Sequence, residues 1–317
     1  MTTWVVTGGA GFIGSNLVEA LLRRGEHVRV VDDFSTGRRE NLSQAPAWAE
    51  SGAGRYELFE GDIRDAEFCV RALAGADYVL HQAAIPSVPR SVRNPLGTNA
   101  VNVTGTLNLL CAVRDTAVRR FVYASSSSVY GESQSLPKVE TMPPSPVSPY
   151  ALQKLTGEIY CRLFHRLYQV PTVALRYFNV FGPRQDPAGE YAAVVASFLD
   201  ALRSGREPTI HGDGEQTRDF TYVTNAVRAN LLACEAGPEA LGEAFNIACG
   251  ERISLNRLLA VLASVAGVVP SAKHGPPRPG DVRDSLAGLD RSRERLGYRP
   301  EVGLEEGLRR LWEHASR

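Results

Sequence analysis

Tyr150 and Lys154 stand four positions apart in the run Tyr150-Ala151-Leu152-Gln153-Lys154. On a helix that spacing puts a phenol and an amine on one face. Such a pair can work as an acid/base, because a nearby cation stabilises the phenolate of a group whose ordinary pKa is about 10. The same pairing also arises by chance in many helices. Upstream, Ser125-Ser126-Ser127-Ser128-Val129-Tyr130-Gly131 offers hydroxyls that could partner the phenol, or a plain polar turn.

The chain before these groups must position them. Trp4-Val5-Val6 reads as a buried strand running into Thr7-Gly8-Gly9-Ala10-Gly11-Phe12-Ile13-Gly14. An amphipathic stretch follows, with Ile13, Leu17, Val18, Leu21 and Leu22 on one face and Gly25 as its stop. Strand, glycine turn and helix together suit a dinucleotide. Glycines let the backbone approach a pyrophosphate, and the helix start supplies free N–H groups.

The second strand, Val28 to Val31, ends at Asp32 and Asp33, where an acid grips an adenosine ribose. Asp32 favours NAD over NADP, since a carboxylate repels a 2'-phosphate. Arg38 and Arg39 are read as solvated surface. Tyr56 to Ile63 and Tyr78 to His81 are further strands, and the small Ala83 and Ala84 after Gln82 leave room for a cofactor. His81 is read as a satisfied strand-end histidine. A helix from Pro95 carries Asn102, Leu107, Leu109 and Leu110, and Arg120 to Ala124 begins the next strand. This alternation predicts an α/β doubly wound parallel sheet with its site at the carboxyl ends of the strands.

The 317 residues exceed one average domain, so a smaller domain beside the sheet is expected. Lys+Arg and Asp+Glu both total 35, which leaves no basic field for nucleic acid. Partners are therefore expected to be small molecules or a second copy. Five scattered cysteines lack a Cys-x-x-Cys pair, which argues against structural zinc or a disulfide framework and fits a reducing compartment. No apolar run is long enough to span a bilayer and no basic region precedes Trp4, so a soluble cytoplasmic protein is expected, without metal or membrane.

Taken together, these motifs resemble the extended short-chain dehydrogenase/reductases of the nucleotide-sugar epimerase and dehydratase family. The resemblance covers nearly the full length and includes Asp62-Ile63, Leu175 to Asn179, Arg218-Asp219-Phe220 and Arg278-Pro279-Gly280-Asp281. It implies a Rossmann domain over residues 1–177, with 219–242 crossing back to it, and an α/β nucleotide-sugar domain over 178–218 and 243–317. It implies NAD held by Gly8, Gly11, Phe12, Ile13, Gly14, Asp32, Phe34, Ser35, Thr36, Gly37, Asp62, Ile63, Gln82, Ala83, Ala84, Asn102, Tyr150, Lys154 and Tyr177. Tyr150 would be the base, Lys154 its tuner and nicotinamide-ribose ligand, and Ser126 the hydroxyl partner, with Ser127 or Ser128 able to share that role. A UDP-sugar would meet Ser87, Ser126, Asn179, Gln185, Ala193, Val194, Arg218, Arg278, Asp281 and Ser285. Helix faces at 107–113 and 155–164 would pair in a homodimer.

The branch within the family follows from an absence. Dehydratases resemble one another in placing an Asp-Glu pair where this chain has Ser127 and Ser128, and no acid follows until Glu132. Epimerisation at C4 needs no such pair. Tyr150 would take the 4-hydroxyl proton while C4 passes hydride to the nicotinamide, and the 4-keto sugar would turn over before hydride returns. The small Ser285 after the Arg278 motif, and the run 178–187 with 191–194, resemble members that accept N-acetylated sugars. Alternatives are a UDP-uronate 4-epimerase, a dTDP-sugar enzyme and a non-catalytic dinucleotide sensor.

Overall fold

The computed structural model describes residues 2–186, 194–276 and 283–316. Its centre is a seven-stranded sheet of β1 (Thr3–Thr7), β2 (His27–Asp32), β3 (Arg55–Glu60), β4 (Tyr78–His81), β5 (Arg120–Ser126), β6 (Thr172–Tyr177) and a seventh strand, Glu243–Ile247. The order is seventh, β6, β5, β4, β1, β2, β3, and every pairing is parallel. The chain thus builds away from β1 on one side, then restarts at β4 on the other. Connections leaving β1 and β4 diverge and open a crevice between them.

Helices cover both faces because the central strands are apolar throughout: β5 is buried at every residue but Ser126. One face packs on α1 (Phe12–Arg23) and α2 (Ala45–Gly52), the other on α3 (Ala66–Leu73), α6 (Thr106–Val113) and α7 (Pro149–Tyr168). The edge strand β3 has no fully buried residue and carries charge, with Glu57 meeting Arg29 and Arg55. Between α3 and α6 lie α4 (Val88–Arg93) and α5 (Pro95–Asn99). The helix expected from Pro95 is one helical rod in which Ala100–Gly105 takes π-type bonding between α5 and α6.

A separate apolar cluster defines the smaller C-terminal domain. It joins Phe198 of α8 (Val194–Arg203), Leu258 and Leu262 of α10 (Leu255–Ala266), and Leu308 and Leu311 of α12 (Leu304–Ala315). Between them, α9 (Val223–Glu235) returns to the face of the sheet that carries α1, and α11 (Asp290–Leu296) packs beside the seventh strand. The return expected to stop at residue 242 therefore runs on to Ile247, since Glu243–Ile247 pairs with β6. Among the described residues no helix is long and apolar enough to cross a membrane.

The helix that carries the chemistry has a well-defined start. Ser148 caps α7, its hydroxyl accepting the Ala151 N–H at 3.2 Å, and Pro149 occupies the first turn. The Tyr150 N–H donates to Ser91 Oγ at 3.0 Å, which ties this end to α4. Gln169, at φ +57°, closes the other end.

Candidate active site

A cavity of about 500 Å³ opens at the carboxyl ends of the strands. Its wall runs from Gly8, Gly11 to Gly14 and Asp32, past Asp62 and Gln82 to Ala84, to Ala124, Ser125, Tyr150, Lys154 and Tyr177. The glycine end is a cradle that side chains would fill. Gly8 sits at φ +66°, and a Cβ there would lie 2.6 Å from the Ala83 nitrogen. A Cβ on Gly14 would strike the Gly8 carbonyl oxygen. Gly11 gives α1 no side-chain cap, so the helix start can offer its N–H groups to an anion. These features fit a dinucleotide.

Asp32 is buried, accepting N–H bonds from Ala10 at 2.8 Å and Phe34 at 2.9 Å. Burial holds its carboxyl above the usual range, against those two bonds. Tyr177 closes the floor at the other end. Asn230 Nδ2 donates to its hydroxyl at 2.7 Å, and Gln82 Nε2 donates to Asn230 Oδ1 at 3.1 Å. His81 is a satisfied core histidine as expected: its ring nitrogens meet the hydroxyls of Thr7 at 2.7 Å and Thr106 at 2.9 Å. Burial, and secondarily the charge of Lys154, push it down to about 3.

Tyr150, Ser126 and Lys154 come together at the end of β5. The Ser126 side chain lies close enough to the Tyr150 hydroxyl to lower its pKa. Lys154 Nζ donates to the Ala124 carbonyl at 2.8 Å and stands 5.9 Å from the centroid of the Tyr150 ring. Burial pushes the phenol up to about 12, partly offset by Ser126. Burial pulls the ammonium down to about 8, partly offset by Glu158 one turn further along α7. The expected lowering of Tyr150 by Lys154 is thus absent from the protein chain alone. The ammonium donates to a strand carbonyl, and desolvation dominates both groups.

Glu158 and Arg176 form a second buried unit behind this corner. Arg176 Nε donates to Glu158 Oε1 at 2.9 Å and Nη2 to Oε2 at 2.7 Å, and both side chains are 3% exposed. Ser125 Oγ also donates to Glu158 Oε1. Arg176 Nη1 donates to Tyr130 Oη at 2.9 Å, and that hydroxyl donates to Asn246 Oδ1 at 2.7 Å. Burial opposes the charge of Arg176, but the bonds and field of Glu158 hold its pKa above the ordinary value.

The cavity wall includes most of the residues expected to hold a cofactor, Ser35, Thr36 and Gly37 among them, together with Ser87 and Gln185. Phe12, Ile13 and Ile63 line it too. Gln185 Nε2 donates to the Val180 carbonyl at 3.1 Å, while its buried Oε1 has no partner among the described residues.

Two expected cofactor residues do not line it. Asn102 is buried and bonds the backbone of Ile85 and the Gln153 side chain at 2.8 Å, so it pins the 83–87 loop to α7. Phe34, at φ +57°, stacks its ring under Arg39 at 3.9 Å. Nor do Ser126, Asn179, Val194, Arg218 or Ser285 line it, though Ser126 follows directly on the wall residue Ser125. Asn179 Nδ2 bonds the Asp219 carbonyl at 3.0 Å. Arg218 Nη1 donates to the carbonyls of Thr217 and Arg283, and the Ser285 N–H donates to Thr217. Arg218 and Ser285 are therefore close in space, each following a member of the isolated bridge between Thr217 and Asp284. Ala193, Arg278 and Asp281 lie outside the described residues.

Arg38 is exposed, as expected of a solvated surface residue, but it also borders the cavity. It pairs with Asp186 at 2.6 Å, whereas Arg39 pairs with Glu60 outside the cavity. Asn41, Arg90, Arg184 and Asp186 are further wall residues not anticipated from the sequence. Asn41 and Arg90 sit in helical turns that follow the β2 and β4 loops, and Arg184 and Asp186 in the segment after Phe181, where Arg184 takes φ +68°.

A parallel sheet with a glycine cradle at its switch point and a Ser, Tyr, Lys corner at the other end, half-buried at Ser126 and Tyr150 and buried at Lys154, defines a dinucleotide-dependent enzyme. Residues 4–248 match the model of the NAD dependent epimerase/dehydratase family, and the chain belongs to that family. It is an isomerase whose cofactor is NAD. It is 42% identical to a UDP-glucose 4-epimerase of Mycolicibacterium smegmatis over 96% of this chain and 95% of that protein. A crystal structure of UDP-glucose 4-epimerase from Thermotoga maritima with UDP-glucose is similar at TM-score 0.92 and 41% identity, covering 100% of this chain and 99% of that one. The UDP-N-acetylglucosamine 4-epimerase of Methanobrevibacter ruminantium, in complex with UDP-N-acetylmuramic acid, is similar at TM-score 0.92 and 38% identity, over 100% and 99%.

Proposed function

We propose that this protein interconverts UDP-hexoses by inverting C4 through a 4-keto sugar, and accepts N-acetylated as well as plain hexoses. The observation that carries this reading is the grouping of the Tyr150 hydroxyl with Ser126 and Lys154, with no carboxylate in the turn that follows. Glu132, the first acid after Ser126, is exposed. Bound NAD supplies the reversible acceptance of hydride from C4. Tyr150 as phenolate removes the 4-hydroxyl proton and returns it, so no net oxidation occurs. Ser126 steadies the oxygen that changes charge, and Lys154 adds a cation on the same side.

The remaining site assignments are part of the same reading. Residues 1–177 with the returning strand and α9 hold NAD, while Asn179, Gln185, Arg218 and Ser285 serve the nucleotide sugar. Arginine's fixed fork suits a diphosphate. Ser285, being small, leaves space for a 2-acetamido group. A homodimer is supported by an apolar stripe on α7: Leu152, Ile159, Leu163 and Leu167 share a face and are 41 to 62% exposed. A second reading, UDP-uronate 4-epimerase, draws on Arg90 in the cavity wall, a cation that could meet a C6 carboxylate.

The test is chromatography of UDP-galactose, UDP-GlcNAc, UDP-GalNAc and UDP-glucuronate after incubation with purified enzyme. Conversion of the neutral and N-acetylated sugars is expected, with Tyr150→Phe lowering kcat by roughly 10²- to 10⁴-fold. Ser285→Tyr should remove the N-acetyl reaction and spare UDP-galactose. Turnover of UDP-glucuronate alone would overturn the first reading in favour of the second.

A further inference from the structure

We propose that Ser128 is a positioning residue for the acid/base step, its hydroxyl setting the direction of the hydrogen bond between Ser126 and Tyr150. This rests on reading Tyr150 as the base. Ser126 Oγ has three neighbours: the Ser128 N–H at 3.2 Å, Ser128 Oγ at 2.9 Å, and the Tyr150 hydroxyl. A hydroxyl owns one proton and two lone pairs. The amide of Ser128 can only donate, so it takes one lone pair in every state. One proton and one lone pair remain for Ser128 Oγ and Tyr150.

With Tyr150 drawn into bonding distance of Ser126, only two arrangements satisfy that count. In the first, Tyr150 donates to Ser126 and Ser126 donates to Ser128, which requires a protonated phenol. In the second, Ser128 donates to Ser126 and Ser126 donates to Tyr150, the only arrangement open to a phenolate. When Tyr150 passes its proton to the substrate oxygen or takes it back, the two hydroxyl protons swing over together and none leaves the chain of oxygens. Bonds in series polarise one another, and a donor aimed at a charged oxygen is worth more than one aimed at a neutral oxygen. The outer hydroxyl therefore favours the phenolate selectively, acting through Ser126. Position 128 thus has a use of its own in a turn that carries no acid.

A pH titration of the NAD-loaded enzyme tests this through two readouts: kcat for the UDP-sugar it converts, and the ultraviolet difference spectrum of the Tyr150 phenolate with Tyr150→Phe as the blank. In Ser128→Ala both midpoints should rise by roughly one pH unit, with kcat on the acid side down about tenfold and KM little changed. Ser128→Thr keeps a hydroxyl and should restore both midpoints. Wild-type midpoints in Ser128→Ala, or a kcat loss uniform across pH, would overturn the proposal. A Tyr150→Phe enzyme that keeps full turnover would overturn the assignment of the base instead, whatever Ser128 does.

Discussion

Lys154 and Glu158 are one turn apart on α7, each 4% exposed, yet their charges are treated in opposite ways. Glu158 is answered on both oxygens by Arg176 and on one also by Ser125. Lys154 has a single backbone carbonyl and no carboxylate within ion-pair distance among the described residues. A paired buried charge fixes geometry, because breaking the pair strands its partner. An unpaired one costs stability and keeps its field available for a reaction, which is how functional sites come to hold perturbed groups. The helix therefore carries its anchor and its chemistry on successive turns of one buried face.

The largest break in that contrast comes from removing the anchor. Glu158→Ala leaves Arg176 buried without its anion and should cost about 3–5 kcal/mol, read from the midpoint of chemical denaturation. The double change Glu158→Leu, Arg176→Met should recover much of that loss, since a buried pair is often replaceable by apolar packing of similar volume. It should not recover full activity, because Ser125 loses its tether next to Ser126. A double variant with wild-type kcat would show the pair to be packing alone.

Lys154→Met should move stability the other way. Burial lowers Lys154 from 10.5 to about 8, so the folded state binds its proton less readily than the unfolded state. The resulting penalty is fully present below the folded value and fades as pH rises from about 8 through 10.5. With NAD removed from both proteins, Lys154→Met should therefore be more stable than wild type by up to about 3 kcal/mol at pH 7. The gap should close by the upper end of that window. Its kcat should fall by roughly 10²-fold or more. Equal stability at pH 7 would mean that water or a counter-charge reaches the ammonium.

How much of this was legible in the sequence depended on the range of the interaction. The strand, glycine turn and helix at Trp4 to Leu22 could be read because local periodicity and turn chemistry specify them. Ser126, Tyr150 and Lys154 were legible as a set because each follows a strand or heads a helix, where backbone register fixes the side chain. Glu158 and Arg176 went unremarked, since each is an ordinary residue until β6 is laid beside α7. The place of the exposed Arg38 at the cavity went unread for the same reason: its partner, Asp186, arrives from a distant turn after β6. Asn102 was placed against the cofactor on motif alone, whereas the π-type stretch turns it toward Ile85 and Gln153.

The finest test concerns the turn of α7 before both charges. Ser148 caps the helix two residues ahead of Tyr150, and Ser91 Oγ holds the Tyr150 N–H from α4. Ser148→Ala should cost about 1 kcal/mol of stability, the usual value of a lost N-cap. Because Ser91 still grips the first turn, Tyr150 should shift little, and kcat should drop less than about tenfold with KM nearly constant. Ser148→Asp, which can cap equally well, should restore stability. If Ser148→Ala instead destabilised the protein as much as Glu158→Ala, the first turn would be the anchor of the helix. The division between a holding turn and a reacting turn would then fail.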